Sequence, residues 1–274
     1  MQWEVGLELG ETCVRVATRT RGVALSIPSL CALRGNEVTA TGEEALALEG
    51  RAPSGVRFAR PIESGRIAEP ALVSLWIGRI IEEYIGRLRR RVALVIPPEM
   101  PPADRAILRQ AVAGADAQCG FIESDLAAAF GARGDLLAPE GVLLIDAGAG
   151  SIRASLISYG RVVARRVLPY GMRRIDEDIV AALREGRGFS VGSRTAEELK
   201  QQLGSAIPGR SLYIKAAGLN HLTGFPGEIE VEAAIVEGAV RPVAAYLARA
   251  RLMYCRTVFS LIDMRRPTDA LDMP

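Results

Sequence analysis

Glu8 and Asp146 each end an apolar run, with a glycine two residues on and an arginine seven residues on. The segments 5–15 (VGLELGETCVR) and 143–153 (LLIDAGAGSIR) read as copies of one design: strand, acidic turn with glycine, returning strand. A glycine turn lets the backbone approach a ligand closely, and N–H groups exposed at its tip bind phosphate. A carboxylate at the end of the first strand suits a magnesium ion, which favours carboxylate, water and phosphate oxygens. Glu8 and Asp146 are therefore candidate magnesium ligands, and Gly10 and Gly148 mark candidate phosphate loops. Two such hairpins can clamp one nucleotide between two halves of a protein. The bland alternative is that Gly10 and Gly148 only turn the chain.

The elements that would position these loops follow from periodicity. Residues 5–18 and 22–27 read as a strand meander, followed by short strands at 31–34 and 38–41. GEEALAL (42–48) starts a short helix, and 51–66 is a Pro- and Gly-punctuated loop. Helical spacing of Leu72, Leu75, Trp76, Ile80, Tyr84 and Leu88 predicts a helix over 71–88, and 103–117 is amphipathic as well. A short apolar strand at 92–96 lies between them. Residues 121–122 lead into an Ala-rich helix, 126–132, and 134–141 reads as a linker. The second half restarts the order, with strands at 143–145, 154–157 and 162–168 and helices at 175–184 and 195–203. Thr195 and Glu198 are spaced as a capping box. Strands at 212–216 and 228–231 flank a turn-rich HLTGFPG, and a helical pattern runs from 232 to about 254, kinked or restarted at Pro242. The expectation is an α/β chain of two related lobes, 1–134 and 135–274, around a cleft.

Composition narrows the function. A formal net charge of +2 gives no global argument for nucleic acid, and none is expected as a partner. Cys13, Cys31, Cys119 and Cys255 stand singly, and His221 is the one histidine, so a zinc site is not expected. The N-terminus does not read as a signal peptide, and no apolar run reaches the ~18 residues of a membrane span. A cytoplasmic protein is the expectation.

Beyond the hairpins, an ordered set of runs resembles the bacterial actin-like MreB family. They are GEEAL (42–46), ARPIESGRIAE (59–69), IESDLAAAFGA (122–132), RTAEELKQQLGSA (194–206) and LTGFPGEIEV (222–231). The resemblance covers most of the chain from Trp3 to Ala250. It implies the actin-like, ribonuclease-H-like α/β fold of two lobes with an ATP and magnesium cleft, C-terminally shortened here. It also implies polymerisation at the inner membrane, self-association or co-assembly with a full-length actin-like paralogue, and a link to cell-wall building. By position, Gly10, Glu11, Thr12 and Cys13 fall on the first phosphate loop, and Gly148, Ala149, Gly150 and Ser151 on the second. Glu197, Glu198, Leu199 and Lys200 fall on the nucleoside-contacting helix. Glu8, Glu123 and Ser151 are the candidate catalytic positions, Glu123 being where the family orients the attacking water.

The departures from the family pattern bear on the ATPase. Glu8 is one methylene longer than the usual aspartate, which displaces a metal-bound water by about an ångström. Glu11 replaces a small hydroxyl residue and brings a carboxylate close to the phosphate position, where like charges repel. Ile152 offers no hydroxyl, and Arg153 reverses the charge of an acid. Ser124 replaces one of two paired glutamates, and Met172, Arg173 and Arg174 replace a Gly-Asp-Glu-like run. The third glycine loop, which holds the adenosine, has no counterpart. Misplacement of catalytic groups by an ångström can cost ~100-fold in rate, so residual ATPase activity at most is expected.

Two further features have open readings. Arg87, Leu88, Arg89, Arg90 and Arg91, with Trp3, are a candidate membrane contact; the alternative is a solvated helix end. Ile107, Leu108, Ala111 and Val112 are either core or a face toward a neighbouring protofilament. The expected function is a filament-forming or co-assembling scaffold. The alternatives are a non-polymerising pseudo-ATPase adaptor and, more distantly, an actin-fold small-molecule kinase.

Overall fold

The computed structural model describes residues 3, 5–84, 91–132, 136–137 and 141–263, with side chains through 248. The chain forms two compact units, Met1–Gly134 with Ala149–Ser151, and Asp135–Gly148 with Ile152–Pro274.

The first unit opens with a meander, β1 (Val5–Leu9), β2 (Cys13–Thr18) and β3 (Gly22–Pro28). A small sheet then follows from β4 (Cys31–Arg34) and β5 (Glu37–Thr41), with α1 (Glu43–Leu48) and β6 (Val56–Ala59). The segment expected as loop contains β6 and also a hairpin of two two-residue strands, β7 (Ile62–Glu63) and β8 (Arg66–Ile67). Such short strands lack an alternating pattern long enough to show in the sequence. The unit continues with α2 (Pro70–Tyr84), β9 (Arg91–Ile96), α3 (Pro102–Gly114), β10 (Gln118–Glu123) and α4 (Ser124–Gly131). Proline opens both α2 and α3, where its missing N–H has no intrahelical partner to lose.

The main sheet has the order β10-β9-β1-β2-β3. β1 pairs antiparallel with β2 but parallel with β9, and β9 pairs parallel with β10. The carboxyl ends of β1, β9 and β10 therefore share one sheet edge, the edge where ligands gather in α/β sheets. Val5, Leu7 and Leu9 of β1 are buried, as alternation requires, in the same core as Trp76, Ile77, Ile80 and Ile81 of α2. Leu108, Ala111 and Val112 of α3 belong to the same core, so these positions are core.

The second unit repeats the meander as β11 (Val142–Ala147), β12 (Ile152–Ser158) and β13 (Arg161–Leu168), in the order β11-β12-β13. Both meanders carry an irregularity one strand in, at Val16/Ala17 and at Leu156/Ile157. Among the described residues this second sheet gains no parallel strands. It is followed by α5 (Met172–Arg187), β14 (Phe189–Ser190), α6 (Ser193–Leu203), β15 (Tyr213–Asn220), β16 (Pro226–Glu232) and α7 (Ala233–Asp263). Ile175, Ile179 and Leu183 of α5, Ala196, Leu199 and Leu203 of α6, and Val236 of α7 build one core. The capping box expected at Thr195 does not form: the N-cap is Gly192, and Glu198 pairs with Arg194 at 3.2 Å instead. Pro242 lies inside a continuous α7.

The hairpin β7–β8 turns on Ser64 and Gly65, both at positive φ (49° and 73°). Asp104, in the first turn of α3, holds it in place. Its carboxylate accepts from Arg66 Nε at 2.7 Å and from the Ile67 N–H at 3.2 Å. The Arg66 bond, ahead of the Ile67 N–H, keeps the Asp104 carboxyl below the usual carboxylate range, burial opposing it. Asp104→Asn should therefore lower the melting temperature at neutral pH by about 2–4 °C. The lowered value means that Asp104 contributes fully above the usual carboxylate range and progressively less as pH falls through it. Thermal unfolding of both proteins between pH 7 and pH 3 should show the gap closing on acidification.

Candidate functional site

Both hairpins form with the register that the repeat anticipates. Glu8 stands opposite Arg15 in the β1–β2 ladder, and Asp146 opposite Arg153 in the β11–β12 ladder. Directly opposed side chains lie on one face and interact. Arg15 Nη1 reaches Glu8 Oε2 at 3.0 Å, and Arg153 Nη1 reaches Asp146 Oδ2 at 2.9 Å. The first pair is exposed to solvent, whereas the Arg153 side chain is only 8% exposed. Both carboxylates expected to hold magnesium thus face a guanidinium across the ladder.

The first loop closes tightly. Gly10 N–H donates to Cys13 carbonyl at 2.9 Å, and a Cβ on Gly10 would stand 2.7 Å from that oxygen. Thr12 is exposed and Cys13 half-buried, but Glu11 between Gly10 and Thr12 is buried. Its Oε2 accepts the Ser64 N–H at 3.0 Å, and its own carbonyl accepts from Ser29 Oγ at 2.6 Å. Gly150 completes this junction: a Cβ there would lie 2.3 Å from Glu11 Oε2 and 3.2 Å from Ser64 Cα. Ala149 and Ser151 flank it, all three grouping with the first unit. Gly148, on the other side, gives its carbonyl to the Met172 N–H at 2.9 Å.

Glu123 ends β10 and precedes α4. The parallel register sets Glu8 level with Val95 and Ile122, and Glu123 one residue further on. Strand alternation then places Glu8 and Glu123 on opposite faces. The sheet edge gathers them without setting them side by side. On α6, Leu199 is core, Glu197 is exposed and Glu198 is engaged with Arg194. Lys200 turns to Asp176 of α5, its Nζ lying 2.8 Å from each carboxylate oxygen and 3.2 Å from the Met172 carbonyl. Burial pushes the Asp176 carboxyl up, and Lys200 opposes that push. Arg173 and Arg174 run along α5 and pair with Glu177 and Asp178.

Trp3 lies over β10: its ring would sit 2.5 Å from a Cβ on Gly120, and the residue is 40% exposed. Arg91 begins β9, while Arg87, Leu88, Arg89 and Arg90 lie outside the described residues. Among the described residues no helix is long and apolar enough to cross a membrane.

The side chains at the loops fit a magnesium ion poorly. Both acids of the repeat face arginines across their ladders. A phosphate at the first loop would meet the buried Glu11 carboxylate. Sequence reasoning missed the Ser64–Gly65 tip and Asp176. The Ser-Gly dipeptide signals the turn, but the partner of its N–H lies far off in the chain.

A family model described as MreB/Mbl protein matches residues 2–253. The chain is 26% identical over 256 residues to the cell shape-determining protein Mbl of Bacillus cereus, covering 90% of this chain and 76% of that protein. It is 29% identical over 235 residues to the cell shape-determining protein MreB of Escherichia coli, covering 81% and 68%. The fold is similar to that of Spiroplasma citri MreB5 bound to ADP, with TM-score 0.81, 24% identity and coverage of 96% and 79%. The form bound to AMPPNP gives 0.80. A MamK double helical filament gives TM-score 0.71 at 16% identity, covering 93% and 78%. The fold is actin-like.

Lys200→Met should strand Asp176 and cost about 2–3 kcal/mol, less than a fully buried pair because both side chains keep some solvent. Burial holds Asp176 above the usual carboxylate range, so the loss should be small at acid pH and grow as pH rises through the raised value. Adding Asp176→Leu should recover much of it, which chemical denaturation of the single and double variants measures.

Proposed function

Because the chain belongs to the MreB/Mbl family, we propose that it is a cytoskeletal scaffold for cell-shape control. It forms filaments or co-assembles with a full-length actin-like paralogue, at the inner face of the membrane. The observation that carries this reading is the family match over residues 2–253, together with the actin-like fold. The names of the relatives supply the cell-shape role, and the MamK filament supports assembly on this fold. Exposed apolar side chains offer contact surface: Leu222 and Phe225 at the β15–β16 tip, and Phe130 on α4.

Nucleotide binding at the two hairpins is supported by MreB5 bound to ADP and to AMPPNP. ATP bound there would supply a phosphate group whose contacts bias assembly. The chain's own residues hold the loops: Gly10 closes the first turn, Arg15 and Arg153 balance Glu8 and Asp146, and Glu11 ties the first loop to Ser64. These pairings leave little carboxylate charge for metal, so the protein is not an efficient ATPase, and its assembly does not require turnover. The same pairings favour the second reading, a non-polymerising adaptor on this fold.

Sedimentation and electron microscopy of the purified chain separate the two. Filaments should pellet at micromolar concentration, to the same extent with AMPPNP as with ATP, and with phosphate release well below one per subunit over the assembly time. A chain that stays monodisperse at high concentration, alone and mixed with a full-length paralogue, sinks the filament reading and leaves the adaptor.

A further inference from the structure

We infer that Glu11 is a built-in occupant of the phosphate end of the first hairpin loop, which a nucleotide must displace in order to bind. This rests on reading the two hairpins as nucleotide loops. Three observations converge on the Glu11 carboxylate. It is 8% exposed although it sits at a hairpin tip, where the adjacent Thr12 is open to solvent. A charged group withdrawn from water in this way must be compensated by donors or cations. Its Oε2 takes a backbone N–H, from Ser64, at 3.0 Å. That donor is presented by a tip bent through two positive-φ residues, Ser64 and Gly65, which is the kind of backbone geometry that receives anions. Gly150 then lies against the carboxylate: a Cβ there would meet Glu11 Oε2 at 2.3 Å and Ser64 Cα at 3.2 Å, so any side chain at this position would press the carboxylate aside.

The carboxylate is therefore wedged among three loop tips: its own, Ser64–Gly65, and Ala149–Ser151. A phosphate would seek the same N–H donors and would be repelled by the carboxylate already present. The arginines complete the substitution. Arg15 and Arg153 stand directly across the ladder from Glu8 and Asp146 and balance them as a divalent cation would. Within each hairpin the arginine thus supplies positive charge that a metal would otherwise bring to the acid.

The arrangement sets the selectivity of the site. A nucleotide that enters must swing Glu11 out and break its bond to Ser64. It gains little from magnesium, because the acids are already balanced. Release of Ser64 would be felt along the β7–β8 hairpin, whose second strand begins with Arg66, bonded to Asp104 of α3.

Calorimetric titration of the full chain with ADP and with AMPPNP, in magnesium and in EDTA, tests this on the wild type, Glu11→Ser and Glu11→Gln. Glu11→Ser should bind at least about tenfold more tightly than the wild type, with Glu11→Gln between them because it keeps the shape and loses the charge. Wild-type affinity should change by less than about twofold between magnesium and EDTA. Equal affinity in all three proteins overturns the occupancy and leaves the nucleotide loops standing. Binding by none of them overturns both. If circular dichroism shows Glu11→Ser unfolded, Glu11→Gln decides alone, and an affinity equal to the wild type's overturns the proposal.

Discussion

A carboxylate cannot leave water without N–H groups or cations to receive it, and this chain applies that constraint repeatedly. Glu11 is buried on the Ser64 N–H, and Asp104 on the Ile67 N–H and Arg66. In the second unit, Glu237 is buried on the N–H groups of Gly209 and Arg210. Each of these acids lies far in sequence from its partner, so each ties together two segments distant in the chain. In the first unit these anchors add to the two-residue pairing that holds the β7–β8 hairpin. Its short strands would contribute little alone.

The same principle accounts for the repeat. Antiparallel pairing brings residues on either side of a tight turn face to face, and the acid and arginine of each hairpin fall in register. The exposed Glu8–Arg15 pair contributes little to stability, as surface pairs do. Arg153 is different, being nearly buried in β12 among Ile152 and Ala154. Its charge needs Asp146 as much as Asp146 needs it. An acid so engaged is poorly placed to hold a metal.

Much of the fold was legible in the sequence because the long elements obey simple periods. The buried alternation of β1 and the apolar stripe of α2 are visible in the residues themselves, as is the repeated hairpin. What could not be read were contacts that depend on where distant segments meet. Nothing local marks the Ser64 N–H as the partner of Glu11, or Lys200 as the partner of Asp176. The capping box at Thr195 illustrates the other limit. Thr195 and Glu198 satisfy a local pattern, but α6 begins at Ser193 with Gly192 as its N-cap, and Glu198 pairs with Arg194. The helix thus starts one turn earlier than the local signal indicates. At the site, glycine spacing located both loops, while the state of each carboxylate depended on the register of its opposite strand.

The parallel pairing of β1 with β9 carries a consequence for biogenesis. β1 and β2 can meet as soon as both have emerged from the ribosome, since only a tight turn separates them. The other edge of β1 must wait for β9, and with it α2, to be synthesised and to cross over. Non-local pairing of this kind is slow because the intervening chain must first lose its freedom. During that interval the nascent hairpin carries an unsatisfied strand edge and a glutamate tip still in water. Charge beside an open strand edge works against its pairing with a neighbouring chain.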